Sequence, residues 1–197
     1  MGPYVLVNRL LEMNLSLPVA MGSRKAEHEA RLQSMFEAHF NTVWRTLRRL
    51  GVPEPGADDG AQQVFLVASR RLDEIEEGGE RRYLLGVALR VASEIRRAMR
   101  RRREIAMDAS MLEVLDAETV KQHPDEALAN KRALLMLADC LQKMPEKLRE
   151  AFVLFELDEL SAPEVAQLLR VPIGTVASRV RLAREHIREH LGPRGAL

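Results

Sequence analysis

LSAPEVAQLLRVPIGTVASRVRLAR, residues Leu160–Arg184, predicts two short helices separated by a tight turn at Pro172. Ser161 and Glu164 have the spacing of a capping box, in which a hydroxyl and a carboxylate satisfy the first backbone N–H groups of a helix. The residue after the first helix requires a positive φ, which glycine adopts easily and which costs Arg170 roughly 1 kcal/mol. The stretch therefore predicts a helix-turn-helix with one strained position.

The second of these helices has an apolar face and a polar, mostly basic face. Val176, Val180 and Ala183 recur at helical spacing and are expected to pack inward. In a helix-turn-helix the second helix enters the major groove of DNA, where Arg and Ser contact base edges and phosphates. A helical hairpin with a solvated basic face is the alternative. The residues expected to face outward are Ala177, Ser178, Arg179, Arg181 and Arg184.

The composition of the chain favours helices throughout. Its 197 residues are 46% hydrophobic, 30% charged and only 4% aromatic, and no segment has the alternation of a strand. We predict an all-α fold of two small helical domains, 22–105 and 124–197, joined by a linker at 106–123. Residues 1–21 are expected to be a poorly ordered N-terminal extension, and translation from Met21 is an alternative start.

Composition also argues against several classes of function. There is no phosphate-binding glycine loop and no zinc-protease motif, so we expect no enzyme activity and no cofactor. The single cysteine, Cys140, lies in an apolar run and is expected in the core. His186 and His190 have the spacing of two metal ligands, but no third ligand is near them in sequence, so they are expected to be solvated and no metal is predicted. No apolar run is long enough to span a membrane, and a cytoplasmic protein is expected.

A second basic concentration lies in the second half of the third predicted helix, which covers about 81–103. From Arg90 to Glu104 there are seven arginines and two glutamates, although the formal net charge of the whole chain is only +1. Arg90, Arg97 and Arg101 share one helical face, with Arg100 beside it. Such a stripe tracks a phosphate backbone. A solvated helix end is the alternative, because arginine also suits a helix C-terminus.

Several stretches resemble a known family. PIGTVASRVRLAR, within the longer segment from LREAFVLFELDEL to REHL, resembles region four of the bacterial sigma factors, the initiation subunits of RNA polymerase. FEAHFNTVWRTLRRLGV, DDGAQQVFLVASRRLDEI and YLLGVALRVASEIRRAMRRRR resemble region two. With both regions and a short linker, the chain is similar to the small extracytoplasmic-function (ECF) sigma factors over about 35–72, 81–103 and 125–191.

The resemblance implies a function, partners and three sets of residues. Sigma factors bind core RNA polymerase and promoter DNA, and an anti-sigma factor is a common further partner. Region four would read the minus-thirty-five element through Arg170, Thr175, Ala177, Ser178, Arg179, Arg181 and Arg184. Region two would recognise and melt the minus-ten element through Tyr83, Arg90, Arg96, Arg97, Arg100 and Arg101. The docking helix would face the polymerase clamp through Asp59, Gln62, Gln63 and Phe65, of which Phe65 is also expected in the core because Phe is usually buried.

Five positions depart from the family pattern. Tyr83 stands where the family usually has Trp, and Arg90 stands where it has Asn. Gly60 stands where the docking helix of the family has Leu, and the lower helix propensity of Gly destabilises the helix by about 1 kcal/mol. Ala177 replaces a basic residue of the recognition helix, and Arg170 replaces the glycine that ends the preceding helix. These departures bear on which promoter is read.

Two other classes of function remain open from the sequence. The first is a transcriptional regulator whose helix-turn-helix is controlled by an N-terminal sensor domain. Such a domain would show a ligand pocket or a phosphoacceptor Asp after a strand, and the N-terminal half shows neither pattern. The second is a degenerate sigma-like protein that binds polymerase without reading DNA, which would lack a steep loss of DNA affinity with salt.

Overall fold

The computed structural model describes residues 22–108 and 126–191. All regular structure in these ranges is helical, which confirms the predicted all-α class. The predicted extension at 1–21 and most of the predicted linker lie outside the described residues. None of the described helices is long and apolar enough to cross a membrane. The helices are α1 Gly22–Arg49, α2 Glu54–Ser69, α3 Glu80–Asp108, α4 Glu126–Lys143, α5 Glu146–Phe152, α6 Ala162–Leu169 and α7 Ile173–Leu191.

Helices α2 and α3 begin at proline and acidic residues rather than at the first residue of the apolar pattern. We expect α2 from about residue 58, yet it begins at Glu54 because Pro53 is its N-cap and an acidic residue favours the first turn. The acidic loop before α3 contains one turn of 3₁₀ helix, Leu72–Glu74. Helix α3 begins at Glu80 and continues to Asp108, beyond the predicted end near residue 103.

The described chain forms two compact units. The first contains residues 22–48 and 52–93, and the second contains 49–51, 94–108 and 126–191. The division therefore falls inside α3, earlier than the predicted boundary at 105. The reason is that the second half of α3 makes its hydrogen bonds within the second unit, as described below for Arg96.

The first unit is built around three aromatic rings. The ring of Phe36 lies 4.9 Å from that of Phe40 and 4.8 Å from that of Phe65, measured between centroids. Phe65 and Leu47 are completely buried, and Leu84 of α3 is buried with them. Burying each such side chain stabilises the fold by about 1.5–3 kcal/mol.

The second unit has its core between α5, α6 and α7. Val165 of α6 and Val180 of α7 are buried there, and Cys140 of α4 is fully buried, as predicted. Burial raises the pKa of the Cys140 thiol. Helix α5 passes into a π-helical segment, Val153–Leu157, that the sequence pattern does not reveal. This segment ends at Asp158, whose buried carboxylate accepts a hydrogen bond from Arg49 at 3.1 Å.

Candidate nucleic-acid interface

The turn between α6 and α7 has the predicted geometry. The Glu164 carboxylate accepts a hydrogen bond from the Ser161 backbone N–H at 2.9 Å, and the Ser161 side chain accepts one from the Glu164 backbone N–H, which confirms the capping box. The Ser161 hydroxyl also donates to the Glu164 carboxylate at 2.6 Å. Arg170 ends α6 in the left-handed conformation with φ 54° and ψ 48°. The strained position predicted from the sequence is therefore present. Helix α7 begins at Ile173, directly after the turn residue Pro172.

Helix α7 is divided into a packed face and an exposed face. Val176, Val180 and Ala183 are buried, as predicted. On the other side Ala177 and Ser178 are exposed, and the Ser178 hydroxyl donates to the Gly174 carbonyl at 2.9 Å. The remaining candidates are the exposed Arg170, Arg181 and Arg184 and the half-buried Thr175 and Arg179. The packed face fixes the helix, so the exposed face is presented in one orientation.

Two of the α7 arginines are paired with carboxylates. Arg181 donates to Glu185 at 2.5 Å, one helical turn away. Arg184 donates through Nε to Glu156 of the π segment at 2.9 Å. Among residues 22–108 and 126–191, the side chains of Arg170 and Arg179 have no such partner. The basic face is therefore a mixture of two neutralised and two unpaired guanidinium groups.

The predicted stripe on α3 is exposed at four of its positions. Arg90, Arg97 and Arg101 lie at the surface. Arg100 is 58% exposed and makes a long ion pair of 3.4 Å with Glu146. Tyr83, the other aromatic candidate, is half-buried near the start of the helix. The four arginines are therefore exposed to solvent, and their contact with phosphates stays a prediction.

Arg96 does not belong to that exposed stripe, and this prediction needs correction. Its side chain is only 8% exposed. It donates to the Leu50 carbonyl at 2.5 Å, to Glu146 at 2.6 Å and to Glu150 at 2.9 Å. In this arrangement the Arg96 guanidinium cannot contact DNA. Helical spacing groups arginines by face, but only the tertiary structure shows that two carboxylates cover this one.

The acidic partners of Arg96 have opposite pKa shifts. The hydrogen bond from Arg96 is the main reason that the pKa of Glu146 is lowered. Burial is the main reason that the pKa of Glu150 is raised. Arg149 adjoins the cluster, and burial lowers its pKa. The Arg149 guanidinium lies against Gly51, so a Cβ added at Gly51 would lie 3.0 Å from it. Gly51 also has a φ of 91°, a conformation that favours glycine. The cluster is thus a packed ionic core.

The predicted polymerase-docking residues on α2 are only partly at the surface. Asp59 and Gln63 are exposed and Gln62 is half-buried. Phe65 is completely buried in the aromatic core, so its assignment as a polymerase contact is wrong for this structure. The position of Gly60, where the family has Leu, is buried. The surface that α2 offers to a partner is therefore polar.

One cluster was not predicted. The Cys140 Sγ and one ring nitrogen from each of His186 and His190 all lie within 4.8 Å of one another. The Nε2 atom of His186 is buried without a hydrogen-bond partner in the described part of the chain. The expectation of two solvated histidines is therefore wrong for His186. The histidine spacing was visible in the sequence, whereas the cysteine, on α4, lies too far away in sequence to be associated with them.

Taken together, the two helices, their tight turn and the exposed basic face of α7 define a helix-turn-helix DNA-binding protein. The family model for sigma-70 region 4 matches residues 134–187, which contain this motif. The ECF RNA polymerase sigma-E factor of Escherichia coli K12 is 30% identical over 151 residues, covering 72% of this chain and 77% of the relative. The ECF RNA polymerase sigma factor SigE of Mycolicibacterium smegmatis is 26% identical, covering 78% of this chain and 58% of the relative.

Solved structures agree at the level of the fold. CnrH, in complex with the cytosolic domain of CnrY, matches with a TM-score of 0.59 and 20% identity over 95% of both chains. The sigma factor RpoE, in complex with the anti-sigma factor NepR from Bartonella quintana, matches with a TM-score of 0.58 and 22% identity, covering 82% of this chain and 96% of that one.

The chain belongs to the ECF family of RNA polymerase sigma factors, the subunits that direct promoter recognition in transcription initiation. The resemblance seen in the sequence is thereby confirmed. Because the alignment with the sigma-E factor of Escherichia coli covers 72% of this chain, the family accounts for most of the chain, and a separate N-terminal sensor domain is not supported.

Proposed function

We propose that this chain binds core RNA polymerase and directs it to a two-part promoter. Helix α7 reads the minus-thirty-five element, and α3 contacts the minus-ten element. The observation that carries the proposal is the division of α7: Val176 and Val180 are locked into the core while Ser178 and Arg181 face outward. A helix held in this way presents side chains to base edges without first having to be ordered.

Sequence reading on α7 is assigned first to the side chains that no carboxylate neutralises. Arg179 is half-buried and Ser178 is exposed on the same part of the helix, so both are positioned by the packing below them. Ala177 provides a methyl group where the family has a basic residue, which suits an apolar contact such as a thymine methyl. Arg170 is held at the turn and serves as a phosphate contact. This combination gives the chain its own promoter preference.

On α3, the exposed arginines hold the promoter backbone. Arg90, Arg97, Arg100 and Arg101 provide positive charge along the helix, which makes binding salt-dependent. Tyr83 offers a ring on which an extruded base can stack. Arg96 has no part in this surface, for the reason given above.

Docking on polymerase uses the polar surface of α2. Asp59 and Gln63 are exposed on this surface, and Gln62 is half-buried. Since Phe65 lies in the core, its role is to hold α2 in place. We infer a role without catalysis of its own, acting in the cytoplasm where polymerase and chromosome are found.

An anti-sigma factor is a further partner in the proposal. CnrH and RpoE were solved with CnrY and with the anti-sigma factor NepR, respectively. On this chain, three consecutive large apolar residues of α4 are exposed: Leu134 by 67%, Leu135 by 55% and Met136 by 52%. Exposed apolar side chains in a row are typical of a surface that a partner covers. Replacing all three with Ser should weaken binding of a cognate anti-sigma factor without reducing transcription.

The test is transcription in vitro with core polymerase on a pool of random promoters. Adding the protein should enrich one promoter class over core polymerase alone. A variant with Arg97→Ala and Arg101→Ala, which changes only exposed side chains of α3, should still enrich the same upstream sequence but with lower yield. No enrichment by the wild type would refute the proposal. Polymerase binding without enrichment would instead identify a degenerate sigma-like protein.

Arg179→Ala tests the assignment of the reading face. We expect promoter affinity to fall by roughly 1–3 kcal/mol and the preference at one base position to relax, because a bidentate base contact is lost. Arg188→Ala, an exposed arginine of the last turn of α7, is the control and should leave the sequence preference unchanged. If both variants select the same promoters as the wild type, Arg179 does not read a base.

A further inference from the structure

Cys140, His186 and His190 bring together the side-chain chemistry of a transition-metal site. A thiolate and two imidazoles are the ligands that Zn²⁺ prefers in proteins. Cys140 comes from the last turns of α4, and the two histidines are four residues apart on α7. Their ligand atoms lie within 4.8 Å of one another. The three residues are far apart in sequence, so their convergence is a product of the fold.

Two of the three candidate ligand groups are buried and are therefore held in place by packing. Cys140 is fully buried and its sulfur is not in a disulfide. The Nε2 atom of His186 is buried and accepts or donates no hydrogen bond among the described residues, although a buried polar atom normally has a partner. A metal ion bound at this nitrogen would supply the missing partner. His190 is exposed, and its ring stacks on that of His186 with centroids 4.8 Å apart.

We propose that Cys140, His186 and His190 bind one Zn²⁺ ion, which links α4 to the C-terminal half of α7. Tetrahedral zinc with sulfur at about 2.3 Å and nitrogen at about 2.0–2.1 Å places its ligand atoms roughly 3.3–3.6 Å apart. The ligand atoms here lie within 4.8 Å of one another, so they need to approach by at most about 1.5 Å to reach that geometry. The exposed His190 side chain is free to rotate toward the other two ligands. Three protein ligands leave the fourth position for water.

The position of the ion gives it a structural effect on the reading helix. His186 and His190 follow the candidate DNA contacts Ser178 and Arg179 by about two helical turns or more. Arg184 lies only two residues before His186, but residues two apart on a helix do not face each other, so an ion at His186 does not cover Arg184. The ion ties the far end of α7 to α4 and stabilises the folded helix-turn-helix by mass action. Metal binding by Cys140, His186 and His190 does not depend on which promoter the chain reads.

The first test uses the full chain, stripped with a chelator and titrated with Co²⁺ as a spectroscopic probe for zinc. We expect one equivalent to bind and to produce a thiolate-to-cobalt charge-transfer band, which requires the cysteine ligand. Zn²⁺ should remove the band by competition and raise the melting temperature, whereas Mg²⁺, which prefers oxygen ligands, should do neither. Absence of the band in the wild type would overturn the proposal.

Three variants identify the ligands. His190→Ala changes an exposed side chain, so it should leave the metal-free fold intact while weakening Co²⁺ binding by roughly 100-fold or more, beyond the 10–100-fold that outer-shell changes cause. Cys140→Ser should abolish the charge-transfer band. His28→Gln is the matched control, since His28 lies on α1 and contacts Ser69 and Asp73 instead. Wild-type affinity in His190→Ala, or an equal loss in His28→Gln, would contradict the proposed site.

Discussion

The second half of α3 and the exposed face of α7 look alike in sequence and differ in structure. Both are helical, rich in arginine and predicted to meet DNA. On α3, Arg96 is buried against Glu146 and Glu150. On α7, Arg184 is 55% exposed and its partner, Glu156, stands at the edge of the helix-turn-helix. The same residue type is thus part of a core in one place and of a surface in the other.

The difference follows from what lies opposite each guanidinium. A buried arginine needs hydrogen-bond partners inside the protein, and the two terminal nitrogens of Arg96 have them in one carbonyl and two carboxylates. The Nε–H group of Arg96 is buried without a partner among the described residues. An exposed arginine can exchange its carboxylate partner for a phosphate, because a surface ion pair is worth only about 0–1 kcal/mol. Arginines on α7 therefore remain available to DNA even when paired, whereas Arg96 does not.

Arg96→Ala should give the largest effect. Removing it takes away the cation that donates hydrogen bonds to Glu150, and leaves Glu146 with only its long ion pair of 3.4 Å to Arg100. This should destabilise the second unit by about 3 kcal/mol. Hydrogen exchange of the backbone amides of α5 measures this, since the chain's single tryptophan, Trp44, reports on the first unit instead. Arg97→Ala, its exposed neighbour, is the control and should change stability by less than about 0.5 kcal/mol. Equal effects of the two variants would show that Arg96 is not packed as described.

Glu156→Gln tests the availability of the α7 arginines. It frees Arg184 and removes a negative charge beside the reading helix, so DNA affinity should rise by about two- to fivefold at low salt. Fluorescence anisotropy with a promoter duplex at several salt concentrations measures the change. Glu189→Gln is the control, because it makes the same change in net charge at an exposed residue near the end of α7. If the two variants bind DNA equally well, the Arg184 pair has no influence on DNA binding.

The smallest effect concerns the pH dependence of the Arg96 cluster. Because the hydrogen bond from Arg96 holds the pKa of Glu146 below the value of an unperturbed Glu, ionised Glu146 stabilises the fold above that ordinary pKa. This stability is lost as the pH falls through the folded pKa. Glu146→Gln should therefore reduce the acid sensitivity of the free energy of unfolding, measured with urea at a series of mildly acidic pH values.

Glu150→Gln should act in the opposite direction in the same experiment. Burial raises the pKa of Glu150, so the folded protein takes up this proton at a higher pH than the unfolded chain does. Protonation of Glu150 partly offsets the stability that Glu146 loses in acid. The Glu150→Gln variant should therefore lose free energy of unfolding more steeply as the pH falls. Changes of the same sign in both variants would contradict the two opposite pKa shifts.

Local signals predicted the helix-turn-helix well because its determinants are close in sequence. Ser161 and Glu164 cap α6 as expected, and the left-handed turn at Arg170 follows from where α6 ends. The inward face of α7 followed from helical spacing. Outside this motif, helix α2 begins earlier than its apolar pattern suggested. Phe65 of that helix lies in the core, as expected for a Phe, although it also matches the docking motif.

The sequence by itself determined the all-α class, the family, the capped turn and the outward face of α7, because each depends on residues within a few helical turns of one another. The tertiary structure alone decided that Arg96 is enclosed by two glutamates, and that Cys140 meets two histidines of another helix. Both facts depend on contacts between helices separated by tens of residues. Helical periodicity specifies which face a side chain occupies, and only packing specifies what that face meets.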